Sequence, residues 1–143
     1  MDDRTIALLI SAAAFVVGAV LFAVAIWQRR GRSPAARRWM GSGRGNPEFE
    51  ERMSLIGFPA LGVLCWCFAA VALPLPMDIR TYLTLIAAPI AVLAFLPLII
   101  CRLHFIPIPD AVYPRWARPI RHANEQAVKD SEAWLRAYRR RQR

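Results

Sequence analysis

Three long apolar stretches without charged residues divide this chain, and basic or acidic segments separate them. The first stretch covers residues 5–27, which as a helix would be about 35 Å long and would cross a hydrocarbon core of about 30 Å. The N-terminus carries two acids, and Gln28-Arg29-Arg30 follows where a signal peptide would have a small-residue cleavage site. We therefore predict a permanent transmembrane helix over residues 5–27, after a short external N-terminus of residues 1–4.

The second stretch covers residues 53–77, and the helix that contains it is predicted to begin in water and then to enter the membrane, over residues 47–75. Asn46 is a favoured N-cap residue, Pro47 suits the first helical turn, and the glutamates that follow favour the positive end of the helix dipole. We expect this helix to reach the bilayer near Arg52 and to end at Pro74, because proline does not continue a helix.

The third stretch is predicted to be a transmembrane helix over residues 81–101. Only a short external turn of residues 76–80 separates it from the second span, so the two spans form a tight antiparallel hairpin. Pro89 and Pro97 lie inside the third span. Membrane helices tolerate proline where neighbouring groups satisfy the freed carbonyls, so we expect a kink near one of them.

The distribution of basic residues predicts the orientation. Residues 28–52 carry seven arginines, and the chain from Arg102 onward carries nine arginines and one lysine. Only Arg4 and Arg80 lie on the opposite side. Because cytoplasmic loops carry an excess of lysine and arginine, we predict that the N-terminus faces outside and the C-terminus faces the cytoplasm.

The basic loop of residues 28–46 is predicted to lie along the cytoplasmic surface. Ser33 is placed to cap a short helix that ends near Trp39, and a tryptophan among arginines is typical of a segment at the headgroup level. We interpret the glycine-rich residues 41–45 as a flexible linker. A phosphate-binding loop would need a preceding strand and a Gly-Lys-Ser/Thr ending, which are missing from the sequence.

The tail divides into two segments. The closely spaced prolines of residues 102–118 predict an extended strap along the membrane surface. Residues 119–143 are predicted to form a cytoplasmic basic amphipathic helix, which would contact anionic lipid or an acidic protein partner. The side chains predicted to make membrane-surface or partner contacts are Trp39, Trp116, Trp134, Leu135, Arg136, Tyr138, Arg139, Arg140, Arg141 and Arg143.

Composition narrows the class of protein. Hydrophobic residues make up 57% and charged residues 20%, yet the formal net charge is +9, so apolar and basic residues must lie in separate segments. This excludes an ordinary soluble domain, a disordered protein and a disulfide-stapled secreted module. Arginine outnumbers lysine 18 to 1, which suits a high-GC bacterial genome. We predict an all-α integral membrane protein of the bacterial inner membrane, with three transmembrane helices plus the C-terminal helix.

Few side chains are suited to proton transfer, metal binding or catalysis. No Asp, Glu, Lys, Arg or His lies within the three apolar stretches, which argues against a proton-coupled transporter or pump acting alone. Cys65 and Cys67 point about 200° apart on a helix, so they cannot chelate one ion, and Cys101 with His104 supplies only two metal ligands. The two histidines lie in basic surroundings and complete no catalytic triad. We predict no catalytic residue, metal or cofactor.

Small residues on the spans are predicted to let helices approach closely, either within this chain or against another protein. These predicted packing residues are Ala14, Gly18, Gly57, Gly62, Ala87 and Ala91.

Three functions compete at this stage. The leading prediction is a non-enzymatic accessory or scaffold subunit of a membrane assembly, as a homo-oligomer or in a larger complex. The outline of three spans, an outside N-terminus and a charged cytoplasmic tail resembles one class of phage holin, and the resemblance implies pore formation. A nucleic-acid binder is the third, but the adjacent membrane makes lipid phosphate the more available partner for a polybasic tail. No small-molecule substrate is indicated.

Overall fold

The computed structural model of the chain describes residues 2–40, 47–103 and 108–142. They belong to two compact units, Met1–Ile108 and Pro109–Arg143. Several residues used in the sequence analysis lie outside the described residues: the proposed N-cap Asn46, the glycine-rich linker, His104 and Arg143.

Every regular element among the described residues is helical. In chain order these are α1 (Asp3–Arg30), a 3₁₀ turn (Ala35–Met40), α2 (Pro47–Arg52), a π turn (Met53–Gly57), α3 (Phe58–Ala72), α4 (Met77–Arg102), a second 3₁₀ turn (Asp110–Val112) and α5 (Arg118–Arg141). Three helical segments are long and apolar enough to cross a membrane, namely Asp3–Arg30, Phe49–Ala72 and Met77–Arg102. The predicted fold class, three spans plus a C-terminal helix, is confirmed.

The first and third spanning helices extend past their predicted bounds, whereas the second ends at Ala72, three residues before the predicted end. α1 runs on to Arg30 because Gly31, with φ of 56°, adopts the left-handed conformation and donates its N–H to the Trp27 carbonyl as a C-cap. α4 already begins at Met77, directly after Pro76, so only residues 73–76 connect it to α3. The water-facing turns of these helices therefore carry the charged residues that flank the apolar stretches.

α3 is the central helix of the first unit, because it packs against both α1 and α4. α1 and α3 are antiparallel: the Ser11 hydroxyl donates to the Ala69 carbonyl at 2.7 Å, while Arg29 near the other end of α1 donates to the Leu55 carbonyl at 3.0 Å. In the most apolar 18-residue segment of each span, 28% of the central span is buried, against 17% of α1 and 11% of α4. The outer helices therefore present most of their apolar surface away from the bundle.

Small buried residues recur every seven positions along both outer helices, which matches the heptad spacing of a helix-packing seam. They are Ser11, Gly18 and Ala25 on α1, and Ala87, Ala94 and Cys101 on α4. Side chains of this size let each outer helix approach α3 closely, as is usual where lipid supplies no hydrophobic drive between helices.

The closest approach of α1 and α3 is a reciprocal arrangement of glycines and aromatic rings. A Cβ added to Gly18 would lie 2.5 Å from Cδ1 of Trp66, and one added to Gly62 would lie 2.7 Å from Cδ2 of Phe22. The Trp66 indole also packs against the rings of Phe22 and Phe15, with centroid distances of 4.7 and 5.7 Å. Each glycine thus provides the space that the aromatic ring of the opposite helix occupies.

Candidate functional site

The most unusual polar residue of the first unit is Arg52, which is buried at the end of α2. Its Nη1 donates to the carbonyl oxygens of Leu103 at 2.6 Å and Ile100 at 3.2 Å. Both acceptors lie at the C-terminal end of α4, where carbonyls lack partners in the next helical turn and the helix dipole favours a positive charge. Arg52 therefore caps α4 from a neighbouring helix. We call this contact the Arg52 clamp.

A second arginine donates a hydrogen bond to a backbone carbonyl within the π turn. Pro59 has no N–H and cannot donate to the Leu55 carbonyl one turn earlier. Arg29 of α1 instead donates to that carbonyl through Nη2 at 3.0 Å. The π turn Met53–Gly57 lies directly before Pro59, and π turns occur where a helix accommodates a local irregularity. Arg29 of α1 therefore supplies the donor that Pro59 cannot supply to the Leu55 carbonyl.

Gly57, one of the predicted packing residues, lies next to two sulfur-containing side chains, Met53 of its own span and Cys101 of α4. A Cβ added to Gly57 would be 2.5 Å from Sδ of Met53 and 3.5 Å from Sγ of Cys101. Cys101 is fully buried, whereas Cys65 and Cys67 on α3 are partly exposed thiols. Among the described residues no group of three or more His, Cys, Asp or Glu side chains is placed to hold a metal ion.

The basic loop folds into a short turn after α1. The Ser33 hydroxyl accepts the N–H of Ala36 at 3.2 Å and so caps the 3₁₀ turn, and Arg37 donates through Nε to the Gly31 carbonyl. Trp39 lies in this turn and is only 6% exposed. Its contact with the headgroup level stays a prediction.

The predicted contact residues of the tail lie on α5, which is exposed from His122 to its C-terminal end. The rings of Trp134 and Tyr138 stack with centroids 5.4 Å apart, and Leu135 is exposed beside them. Arg136 pairs with Glu132 one turn earlier at 3.2 Å. The remaining predicted basic residues of α5 are Arg139, Arg140 and Arg141, all exposed, while Trp116 is half-buried before the helix.

Arg121 joins the first turn of α5 to the segment that precedes it. Its guanidinium pairs with Asp110 at 3.0 Å and Glu125 at 2.8 Å, and lies 4.3 Å from the centre of the Tyr113 ring. Partial burial by itself lowers the pKa of Arg121, but the hydrogen bond with Glu125 and the nearby Tyr113, Glu125 and Asp110 groups outweigh it, so the pKa lies above its ordinary value. Arg121 therefore remains a fixed positive charge.

Some of the predicted packing residues lie at contacts between helices, and others are partly exposed. Gly18 and Gly62 meet at the crossing of α1 and α3, and Gly57 lies beside Cys101 of α4. Ala87 is buried in the seam of α4, whereas Ala14 and Ala91 are partly exposed.

Sequence reasoning missed four described side chains that join the helices through hydrogen bonds over long sequence distances: Ser11, Arg29, Arg52 and Trp66. Trp66 donates its indole N–H to the Phe15 carbonyl at 3.2 Å, as the two arginines donate to carbonyls of other helices. Pro59 was the available signal for Arg29, because a proline inside a span leaves a carbonyl that needs another donor. Chemically, these side chains satisfy backbone acceptors of their own bundle.

No family model, curated protein or solved structure matches this chain.

Proposed function

We propose that this small multi-pass membrane protein is a non-enzymatic accessory or scaffold subunit of a membrane assembly, with basic cytoplasmic segments that contact anionic lipid or a partner. The observation that carries the proposal is that polar side chains of the bundle form hydrogen bonds between its own helices. Ser11, Arg29, Arg52 and Trp66 each donate to a backbone carbonyl of another helix or of the residue that follows one. Polar groups that stabilise the bundle itself favour a structural role.

The outer faces of the bundle support a role in assembly. α4 packs on α3 through small residues, and its opposite face carries large apolar side chains that are well exposed, such as Leu85 at 73% and Leu93 at 64%. Such a face can contact lipid or the transmembrane helix of another subunit. In a scaffold subunit we expect it to contact the helix of another subunit.

Photo-crosslinking in membranes of the native cells tests the proposal. A photoreactive amino acid replaces Leu93 on the outer face of α4, and in the matched control it replaces the adjacent Ala94, which is 8% exposed and lies in the seam. We expect a discrete adduct with another protein from position 93 and none from position 94. If position 93 and Val16 on the outer face of α1 yield lipid adducts alone, the subunit proposal is wrong.

The membrane potential separates a scaffold from a holin-like pore. Expression of a pore-forming protein would collapse the membrane potential. A scaffold subunit leaves the potential, followed with a voltage-sensitive dye, unchanged.

We also propose that the chain lies in a bacterial inner membrane with its N-terminus outside and its C-terminus in the cytoplasm, from the excess of arginine beside the ends of the spans. Reporter fusions at residue 143 and in the turn of residues 73–76 test this. A cytoplasmic fluorescent reporter should be active at residue 143 and a periplasmic phosphatase in the turn. The opposite pattern would contradict the orientation.

A further inference from the structure

α5 presents a largely apolar arc along its length. At about 100° per residue, five of its positions from Ile120 to Tyr138 lie within an arc of about 60°, and Val128 and Leu135 widen the arc to about 120°. Ser131 and Asn124 are the polar residues within it. The large apolar side chains of this arc are exposed, with Val128 at 57% and Trp134 at 64%. The positions that form the arc are Ile120, Asn124, Ala127, Val128, Ser131, Trp134, Leu135 and Tyr138.

The charged residues lie outside this arc, and they are unevenly distributed along the helix. Its middle part has alternating signs, including the pair of Glu132 with Arg136. The last turn is purely basic, with Arg139, Arg140 and Arg141, and all three are exposed. The aromatic pair Trp134–Tyr138 therefore lies within one to two turns of the densest positive charge in the helix.

The first turn of α5 is held locally. Arg118 donates through Nε to the Tyr113 carbonyl at 3.2 Å, and Arg121 binds Asp110. These basic side chains connect the helix to its preceding turn, so the positive charge for an external ligand is concentrated at the opposite end of α5.

We propose that α5 is a membrane-surface helix that binds anionic phospholipid, with its apolar arc inserted among the headgroups and the arginines of its last turn on lipid phosphate. This inference rests on the cytoplasmic placement of the C-terminus under the proposed function. Stacked Trp and Tyr side chains beside a basic cluster suit the headgroup region, where an aromatic ring meets both apolar and polar surroundings. An acidic protein surface would match the charges but would not require the long exposed apolar arc.

Trypsin cleavage of the full-length wild-type protein in nanodiscs tests the inference. One set of discs contains phosphatidylcholine alone, the other an equal share of phosphatidylglycerol, and an added reference peptide reports the activity of trypsin itself. We expect cleavage after Lys129 and Arg136 to be at least tenfold slower in the anionic discs. The protection should disappear at about 1 M salt, where the Debye length falls to about 3 Å.

Two matched variants test which charges are responsible. The triple variant Arg139→Gln, Arg140→Gln, Arg141→Gln should lose at least tenfold of the protection, since each arginine near an anionic surface contributes about a fivefold change in binding. The control variant Arg30→Gln, Arg32→Gln, Arg38→Gln removes the same charge from exposed side chains of the other basic segment. It should keep the protection.

A second measurement locates the apolar arc directly. A nitroxide is attached to Ser131→Cys on the arc or to Ala133→Cys about 200° away, in a background without the native cysteines. The label at 131 should be accessible to oxygen and shielded from a water-soluble nickel chelate, and the label at 133 should show the reverse.

The outcomes separate this inference from the proposed function. If α5 is cleaved equally fast in both kinds of disc and the two labels are equally exposed to water, lipid binding is wrong. If α5 is then protected only in native membranes and cross-links to a protein there, it is a protein-binding helix and the subunit function stands. If positions 93 and 16 both yield lipid adducts alone, the subunit function is wrong and the lipid result is unaffected.

Discussion

Substitution of Gly18 by Ala should destabilise the bundle through one identifiable contact. The added Cβ would lie 2.5 Å from Cδ1 and 2.6 Å from Nε1 of Trp66, and 3.0 Å from the Gly62 carbonyl oxygen. The indole cannot move away without loss, because its N–H donates to the Phe15 carbonyl and its ring packs between Phe15 and Phe22.

The magnitude follows from what the displaced indole gives up. Its hydrogen bond contributes about 1 kcal/mol and the aromatic contacts about 1 kcal/mol more. Helix propensity returns about 1 kcal/mol when Ala replaces Gly. With the remaining strain of overpacking, which is typically about 1–3 kcal/mol, we expect a net loss of about 2–4 kcal/mol.

A double-mutant cycle isolates this contact. In a Trp66→Ala background the indole is gone, so Gly18→Ala should cost close to nothing, and the coupling between the two positions should be at least about 1.5 kcal/mol. Stability is measured by SDS titration in mixed micelles with circular dichroism as the signal. The control Ala13→Val adds volume at an exposed position of α1 and should change stability by no more than about 0.5 kcal/mol. An equal cost of Gly18→Ala in both backgrounds would refute the explanation.

The same assay checks two further predictions. Arg52→Met should lower the free energy of unfolding by about 2–3 kcal/mol, because it removes a charged donor from carbonyls at the end of α4, and Arg52→Lys should recover part of the loss; equal stability of the wild type and Arg52→Met would contradict the clamp. Cys65→Ala with Cys67→Ala should be tolerated, whereas Cys101→Leu should destabilise by about 1–3 kcal/mol because Cys101 is 1% exposed and lies against Gly57; a large loss of folded protein from the first pair would reveal an overlooked role for those thiols.

The spans were predictable because their signal is local. A run of more than twenty uncharged residues fixes a membrane helix by length, and arginines at its ends mark its limits. Gly18 and Gly62 were also identifiable as packing residues from their size. Their pairing with each other, and with Trp66 and Phe22, depends on the register of α1 against α3, which neither helix determines alone.

The π turn shows the other limit of sequence reasoning. Pro59 indicates an irregularity in the span, but several local conformations satisfy a proline inside a helix. Two contacts accompany the π turn at Met53–Gly57: Arg29 of another helix donates to the Leu55 carbonyl, and Gly57 lies near Cys101 of α4. Both contacts are tertiary, so they become visible only when the three helices are assembled.

The position of Arg52 shows how charge and topology support each other. An arginine near the N-terminal end of its own span is unfavourably placed, because that end of the helix dipole is positive. The antiparallel α3–α4 hairpin brings this end beside the C-terminal end of α4, where the dipole is negative and carbonyls need donors. The clamp is therefore available only in the antiparallel arrangement. The same positive charge adds to the basic side of the chain, so one residue contributes both to the predicted orientation and to the pairing of the helices.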